Sequence, residues 1–226
     1  MPASPPLIVF DLDGTLVDTL PDLIDVLAAT LDELGLPPIS AEDGRKLVGA
    51  GIKLLIVRAL AARGRTLPEA ELDRRFENFV RAYSARISRR SRPFPGLEPA
   101  LDRLAADGFR FAVCTNKLTA LSVQLLTELG LVDRFAVVAG GDRFAVRKPD
   151  AGHLLNTIAA ADGDPRRSVM VGDSGIDVAT ARNAVLPVIA VTFGYTDVAP
   201  AELGADRLIA HYDELPDAVA ALLPAP

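Results

Sequence analysis

The sequence predicts an α/β fold: a doubly wound, mostly parallel sheet with an inserted α-helical cap domain. Short, continuous apolar runs recur along the chain, as is typical of strands buried on both faces of a parallel sheet. Segments with helical periodicity separate most of these runs, which is the order expected of right-handed βαβ units. This alternation is interrupted once, by a long stretch with helical patterns and no convincing strand.

The elements of the sheet can be assigned in chain order. Strands are expected at residues 7–10, 109–114, 135–139, 168–171, 188–192 and 207–209. Helices are expected at residues 97–106, 120–129, 152–161, 176–184 and 215–223. Open α/β sheets bind their ligands at the carboxyl ends of the strands, near the point where the strand order reverses. The residues that follow each strand are therefore the candidates for a functional site.

The interruption lies between the first and second strands. Within it, helices are expected at residues 18–35, 41–48, 52–63 and 68–90. A single helix is enough to connect two parallel strands, so an insert of this length predicts a separate unit. Pro93 and Pro95-Gly96 mark the return of the chain to the sheet. We therefore expect a core domain of residues 1–17 and 92–226 and a helical cap domain of residues 18–91.

Composition limits the possible partners and location. The formal charge of -6 and the pI near 5.0 give no attraction for nucleic acid or for an anionic membrane. A single cysteine, Cys114, excludes an intramolecular disulfide. No apolar run approaches the roughly 20 residues of a transmembrane helix. The first residues lack the pattern of a signal peptide, so a cytoplasmic protein is expected.

Two carboxylates, Asp11 and Asp13, follow the first strand, and Gly14 permits a tight turn there. One carboxylate can attack as a nucleophile while the other transfers protons, if their surroundings differ. Clustered carboxylate oxygens also suit a hard cation such as Mg²⁺. An Asp-Gly turn that only ends the strand explains the pair equally well when it is taken alone.

Three later strand ends complement this pair. Thr115 and Asn116 can bind phosphate oxygens, although either can also simply cap a helix. Lys148 can neutralise both a carboxylate nucleophile and a phosphate, although an exposed lysine is the commoner case. Asp173 and Asp177 lie about one helical turn apart and supply acidic ligands. Together these groups predict metal-assisted phosphoryl transfer.

These motifs resemble the four signature motifs of the haloacid dehalogenase-like hydrolase superfamily. They are Asp11-Leu12-Asp13-Gly14-Thr15, Thr115, Lys148-Pro149 and Gly172-Asp173-x-x-x-Asp177, and the likeness covers essentially the whole chain. The helical insert after the first motif resembles the subfamily of phosphoglycolate phosphatases, β-phosphoglucomutases and phosphonatases. Within it, the segments most similar to phosphoglycolate phosphatases are residues 48–51, 94–96, 138–142 and 193–195.

The resemblance implies a Mg²⁺-dependent phosphatase that acts on a small phosphorylated metabolite through a phosphoryl group carried on Asp11. Asp13 would protonate the leaving alkoxide and then activate water. Thr115 would bind the phosphoryl group together with backbone amides near Asn116, and Lys148 would stabilise the charge. The implied metal ligands are Asp11, Asp13 through its backbone carbonyl, Asp173, and Asp177 directly or through water.

Specificity is expected from the cap as it closes over the site, and 2-phosphoglycolate is the expected substrate. The loop from Gly49 to Gly51 can bring its backbone close to the substrate. Lys53 or Arg58 can pair with a substrate carboxylate. For either cation taken singly, a solvated charge on a cap helix is the commoner case.

Other functions remain open on the sequence alone. A sugar-phosphate mutase similar to β-phosphoglucomutase would pass the phosphate from Asp11 to a second hydroxyl. A phosphatase could also act on a nucleotide, a sugar phosphate or pyrophosphate. A protein with the same fold but no activity could bind a phosphorylated ligand.

Other residues are expected outside the site. His153 and His211 are expected at the surface, and Cys114 in the core. The helix after Asp177 ends in Ala184-Val185-Leu186, where members of the resembled family often have Ala-Gly. This difference concerns how the helix ends and leaves the chemistry unchanged.

Overall fold

The computed structural model describes residues 4–196 and 198–223 and confirms the predicted α/β class. The strands are β1 Leu7–Phe10, β2 Val17–Asp18, β3 Arg92–Pro93, β4 Arg110–Cys114, β5 Val137–Ala139, β6 Ser168–Gly172, β7 Val188–Val191 and β8 Arg207–Ile209. The α-helices are α1 Leu20–Asp32, α2 Ala41–Arg45, α3 Ile52–Ala61, α4 Glu69–Ser84, α5 Leu97–Ala106, α6 Thr119–Glu128, α7 Ala151–Ala160, α8 Gly175–Asn183 and α9 Leu215–Ala220.

The main sheet has six strands in the order β5-β4-β1-β6-β7-β8, and every neighbouring pair is parallel. Phe10 at the end of β1 lies opposite Val113 on one side and Val171 on the other. After β1, the chain adds β4 and β5 on one side of β1, and it then adds β6, β7 and β8 on the other side. The strand order therefore reverses at β1, so a ligand-binding crevice is expected beside the carboxyl ends of β1, β4 and β6.

Both faces of the sheet are covered. Ile8 and Phe10 of β1 contribute to one apolar cluster, whereas Leu7 and Val9 contribute to a second cluster. This division follows from the alternation of side chains along a strand. Cys114 is fully buried in the second cluster, as the sequence predicts.

The two histidines differ in their surroundings. His211 is exposed, as predicted. The prediction that His153 lies at the surface is wrong, because its side chain is fully buried. Helix α7 packs on the sheet, and Nε2 of His153 lies 3.1 Å from the carbonyl oxygen of Gly140. A backbone partner therefore allows this polar ring to face the core.

Helices α1 to α4 form the helical insert between β1 and β4. Its helices lie where the sequence predicts them, but the last one ends at Ser84 and not near residue 90. The strands β2 and β3, absent from the prediction, form an antiparallel ribbon in which Val17 lies opposite Pro93 and Asp18 opposite Arg92. Strands of two residues are too short to show a periodic pattern.

The carboxylate of Asp22 joins the two ends of the helical insert. It lies in the first turn of α1 and is fully buried. Its Oδ2 accepts hydrogen bonds from the backbone N–H groups of Arg90 and Ser91, at 2.9 and 2.8 Å, and from the Ser91 hydroxyl at 2.7 Å. Hydrogen bonds to a charged acceptor are stronger than neutral ones, so this contact fixes the start of the insert against its end.

The end of α8 carries an unusual backbone conformation. Val185 has a φ of 57° and a side chain that is 91% exposed. A β-branched residue in the left-handed region is strained, whereas glycine is not. Among the described residues, no helix is both long and apolar enough to cross a membrane.

Candidate active site

Asp11 lies directly after β1, in the crevice where the strand order reverses. Its backbone N–H donates to the carbonyl oxygen of Val171 at 2.9 Å, which extends the parallel pairing past the strand end. The residue is 4% exposed. Nζ of the buried Lys148 lies 2.9 Å from Oδ1 of Asp11 and 2.6 Å from Oδ1 of Asp177. The structure therefore brings the first, third and fourth motifs together.

Three buried carboxylates form an acidic cluster. Asp11, Asp173 and Asp177 each offer one oxygen, and these oxygens lie within 4.8 Å of one another. Burial raises the pKa of Asp11 to about 6, although the Lys148 ammonium opposes the change. Burial and the charges of Asp177 and Asp11 raise the pKa of Asp173 well above its usual value. Burial alone would lower the pKa of Lys148, but Asp11 and Asp177 raise it.

Asp173 is held by close contacts from two loops. Its Oδ1 accepts from the Thr15 hydroxyl at 2.9 Å, and its Oδ2 accepts from the backbone N–H of Tyr195 at 2.6 Å. Gly14 and Gly194 pack against the same carboxylate. A Cβ on Gly194 would lie 2.2 Å from the Cβ of Asp173, and one on Gly14 would lie 2.4 Å from its Oδ2. Only glycine fits at these two positions without displacing Asp173.

Asp177 uses both carboxylate oxygens within the protein. Oδ2 accepts from the backbone N–H groups of Asp173 and Ser174, at 3.2 and 3.1 Å, and from the Ser174 hydroxyl at 2.6 Å. Oδ1 accepts from Nζ of Lys148 at 2.6 Å. The first set forms a capping box at the start of α8. Asp177 therefore fixes the loop that carries Asp173 and orients Lys148.

The carboxylate of Asp13 is paired with Lys117, a residue not included among the candidates from the sequence. Nζ of Lys117 lies 2.9 and 3.2 Å from the two Asp13 oxygens and donates to the Tyr83 hydroxyl at 2.9 Å. Lys117 is 4% exposed. Lysine is rare in this chain, with four among 24 basic residues, and this rarity is a sequence signal that draws attention to Lys117 as well as to Lys148.

Thr115 and Asn116 have different surroundings after β4. Thr115 is 2% exposed and lines the cavity beside Asp11. The amide nitrogen of Asn116 donates to the carbonyl oxygens of Gly49 and Lys148, at 3.3 and 3.2 Å. The Asn116 side chain thus connects the helical insert to the core, and it does not line the cavity. No sequence pattern predicts these side-chain contacts, and phosphate binding by the backbone amides near Asn116 stays a prediction.

The cavity lies between the sheet edge and the helical insert. The volume that the centre of a water molecule can occupy within it is about 20 Å³. This volume is close to the minimum that one water molecule needs. The core contributes Asp11, Asp13, Thr115 and Lys117, and the insert contributes Leu23, Val48, Gly49, Gly51, Ile52 and Leu55. A phosphate ester therefore needs a wider opening than this arrangement provides.

The two insert cations predicted to contact the substrate do not line this cavity. Nζ of Lys53 lies 2.6 Å from Oδ1 of Asp73, and the Lys53 side chain is 44% exposed. A guanidinium nitrogen of Arg58 donates to the carbonyl oxygen of Leu47 at 3.4 Å. Helical spacing does not reveal which face of α3 turns towards the core, and these residues face elsewhere. Gly49 and Gly51, with φ of 108° and 88°, line the cavity.

Comparisons with known proteins agree with this geometry. A family model described as "Haloacid dehalogenase-like hydrolase" matches residues 8–191. A phosphoglycolate phosphatase of Agrobacterium fabrum is 50% identical over 220 residues, which cover 97% of this chain and 91% of that protein. A phosphoglycolate phosphatase of Mesorhizobium japonicum is 47% identical over 212 residues, covering 94% of this chain and 93% of that protein.

Solved structures resemble the chain over nearly its whole length. A predicted phosphoglycolate phosphatase from Haemophilus somnus 129PT has a TM-score of 0.87 at 28% identity, covering 96% of this chain and 99% of that one. CbbY from Rhodobacter sphaeroides, solved in complex with phosphate, has a TM-score of 0.75 at 28% identity, covering 93% and 96%. The chain belongs to the haloacid dehalogenase-like hydrolase family. Within that family it is an enzyme of the phosphatase class.

Proposed function

We propose that this phosphatase is a Mg²⁺-dependent hydrolase of small phosphomonoesters that works through an aspartyl-phosphate on Asp11, with 2-phosphoglycolate as its substrate. The placement of the Asp11 carboxylate supports the proposal most strongly. It is buried at a strand end, lies 2.9 Å from Nζ of Lys148, and belongs to a cluster of three carboxylates. A buried nucleophile with a cation and acidic neighbours is the arrangement that phosphoryl transfer requires.

The acidic residues fit a magnesium ion. Three buried carboxylates face a single lysine charge, so most of their negative charge has no cation within the cluster. Mg²⁺ prefers such oxygen ligands, and when bound it would neutralise and orient the phosphoryl oxygens. We infer that Asp11, Asp173 and the backbone carbonyl of Asp13 hold the ion. Asp177 would bind it directly or through water, and its Oδ1 also accepts from Nζ of Lys148.

The first step would transfer the phosphoryl group to the protein. An oxygen of Asp11 attacks phosphorus while the ester oxygen departs with its electron pair. Lys148, 2.9 Å from Oδ1 of Asp11, stabilises the charge on both the nucleophile and the phosphoryl oxygens. Thr115 lines the cavity beside Asp11, and its hydroxyl would donate to the phosphoryl group. Asp13 protonates the departing alkoxide as a general acid.

The second step would release inorganic phosphate. Asp13, having given up its proton, accepts one from a water molecule that attacks the phosphorus of the aspartyl-phosphate. The same carboxylate therefore acts as acid and then as base, as microscopic reversibility allows. Asp13 lines the cavity, so it faces the space where water would enter. Lys148 again stabilises the carboxylate of Asp11 as it leaves.

The proposed substrate rests on the relatives and on the shape of the cavity. The relatives with 50% and 47% identity are both phosphoglycolate phosphatases. The insert wall presents backbone at Gly49 and Gly51, and the first turn of α3 has no side-chain cap. Its free backbone N–H groups suit a small carboxylate. Lys53 and Arg58 line no part of the cavity, so the carboxylate would be bound without them.

We further propose that residues 18–91 act as a cap domain over a core of residues 1–17 and 92–226. The cavity receives residues from both parts, and the β2–β3 ribbon joins them. Because the cavity is so narrow, the cap would open to admit the ester and close to exclude water. A cytoplasmic location is also proposed, and a single, buried cysteine is compatible with a reducing compartment.

Phosphate release from a panel of esters tests this proposal. The panel contains 2-phosphoglycolate, sugar phosphates, nucleotides and pyrophosphate, each with Mg²⁺ and with EDTA. We expect the highest kcat/KM for 2-phosphoglycolate and a reversible loss of turnover in EDTA. The Asp11→Asn variant should show no turnover while it still unfolds cooperatively on heating, as a folded protein does. Isomerisation of β-glucose 1-phosphate without phosphate release would instead identify a mutase. Absence of turnover across the panel would identify a binding protein.

A further inference from the structure

The Lys117 ammonium connects the helical insert to the proposed acid–base residue of the core. Its three acceptors are the two Asp13 oxygens, at 2.9 and 3.2 Å, and the Tyr83 hydroxyl at 2.9 Å. An ammonium has three N–H groups, so these contacts use all of them. Lys117 is therefore a bridge between Asp13 and Tyr83, with no N–H group left for a substrate anion.

Tyr83 comes from the insert, in the last turn of α4. Its side chain is fully buried, and its ring centre lies 4.5 Å from Nζ of Lys117. Burial raises the pKa of its hydroxyl to about 12, so the hydroxyl stays neutral near pH 7. Tyr83 does not line the cavity in this arrangement. Its hydroxyl contacts the acid–base residue only through Nζ of Lys117, which lies 2.9 Å away.

We propose that Tyr83 is a positioning residue that, through Lys117, holds the Asp13 carboxyl group in the orientation from which it protonates the leaving group. This inference rests on the proposed function and adds that the insert supplies part of the acid–base apparatus. In the step concerned, Asp11 forms its bond to phosphorus, the ester P–O bond breaks with its electron pair on oxygen, and Asp13 delivers its proton to that oxygen. The acid is then correctly placed only while α4 is docked on the core.

Substrates with different leaving groups test this role. Glycolate must be protonated as it leaves 2-phosphoglycolate, whereas p-nitrophenolate leaves p-nitrophenyl phosphate without a proton. We expect Tyr83→Phe to lower kcat/KM about 10-fold for 2-phosphoglycolate and less than about 3-fold for p-nitrophenyl phosphate. The ratio of the two values in one sample does not depend on how much of the variant is folded.

Two further variants make the test specific. In Lys117→Met, adding Tyr83→Phe should leave the ratio unchanged, because the bridge is already absent. Tyr212→Phe is the matched control: its hydroxyl is equally buried and donates to the Thr15 carbonyl oxygen at 2.7 Å. It should lower both kcat/KM values by the same factor.

The outcomes separate this inference from the proposed function. Equal losses on both substrates in Tyr83→Phe would overturn the positioning role, and so would a further fall of the ratio in the Lys117→Met background. Either result leaves the phosphatase proposal intact. If the unaltered enzyme with Mg²⁺ released no phosphate from 2-phosphoglycolate, the proposed substrate would fail instead.

Discussion

The core wall of the cavity consists of two carboxylates, a lysine and a threonine, whereas the insert wall consists of backbone and apolar side chains. On the core side, Asp11, Lys148 and Asp177 form a chain of contacts at 2.9 and 2.6 Å. On the insert side, Gly49, Gly51 and Ile52 offer shape and N–H groups but no side-chain charge. The charged side chains thus have fixed partners in the core, and the insert is proposed to enclose the substrate and to select it.

Replacing one lysine of the core and one of the insert should separate these contributions most strongly. Lys148→Met leaves Asp11 and Asp177 without their cation, so we expect kcat/KM to fall about 10²–10³-fold. Stability should fall by about 3–5 kcal/mol, because buried carboxylates lose their partner. Steady-state kinetics and urea unfolding measure the two effects.

Lys53→Met is the matched control in the insert. Its ion pair with Asp73 is half exposed, so the variant should keep its urea midpoint and its KM for 2-phosphoglycolate. A large rise in KM for 2-phosphoglycolate, with little change in KM for p-nitrophenyl phosphate, would show that Lys53 binds the carboxylate of the substrate. The division between the two walls would then be wrong.

Substituting one glycine of the core, Gly194, and one of the insert, Gly49, gives a second comparison with smaller expected effects. A Cβ on Gly194 would lie 2.2 Å from the Cβ of Asp173 and 2.5 Å from the Gly14 carbonyl oxygen. Gly194→Ala should therefore weaken Mg²⁺ binding about 10–100-fold in isothermal titration calorimetry, because it displaces Asp173, a proposed metal ligand. Gly49→Ala meets nothing within 4 Å but keeps a φ of 108°. It should cost about 1–2 kcal/mol of stability with unchanged Mg²⁺ affinity; equal affinity losses would contradict the assignment.

We expect His153, in the core, to make the stability of the fold decrease at acid pH. Burial, and then the charge of Lys148, lower the pKa of this imidazole to about 4. The folded state therefore favours neutral His153, and its contribution is complete above pH 6.5 and is lost as the pH falls towards 4. We expect about 3 kcal/mol of stability to disappear across that window. His153→Asn should flatten this part of the urea-midpoint profile in EDTA, and an unchanged slope would contradict the assignment.

The sheet and the core side of the site follow directly from the sequence. Uninterrupted apolar runs identify the buried parallel strands, and residues after a strand end must meet at one sheet edge. Asp11, Thr115, Lys148 and Asp173 come together for that reason. Simple periodicity is enough for these features.

The features that were missed depend on partners that are distant in sequence. Lys117 gains its role from Tyr83, 34 residues away in the insert, and no local pattern shows that contact. His153 is buried because a loop carbonyl, that of Gly140, lies within reach of its ring. The placement of Lys53 away from the cavity depends on how α3 is rotated against the core. Each of these depends on packing between elements.

The β2–β3 ribbon has a consequence for the history of the fold. Because Val17 and Pro93 are direct neighbours across the ribbon, the chain leaves and rejoins the sheet at almost the same point. The whole helical segment is therefore equivalent to a single loop whose two ends lie next to each other at the edge of the core. The entropy of closing such a loop rises only with the logarithm of its length. Segments of very different size could therefore be exchanged at this junction while the catalytic sheet stays unchanged.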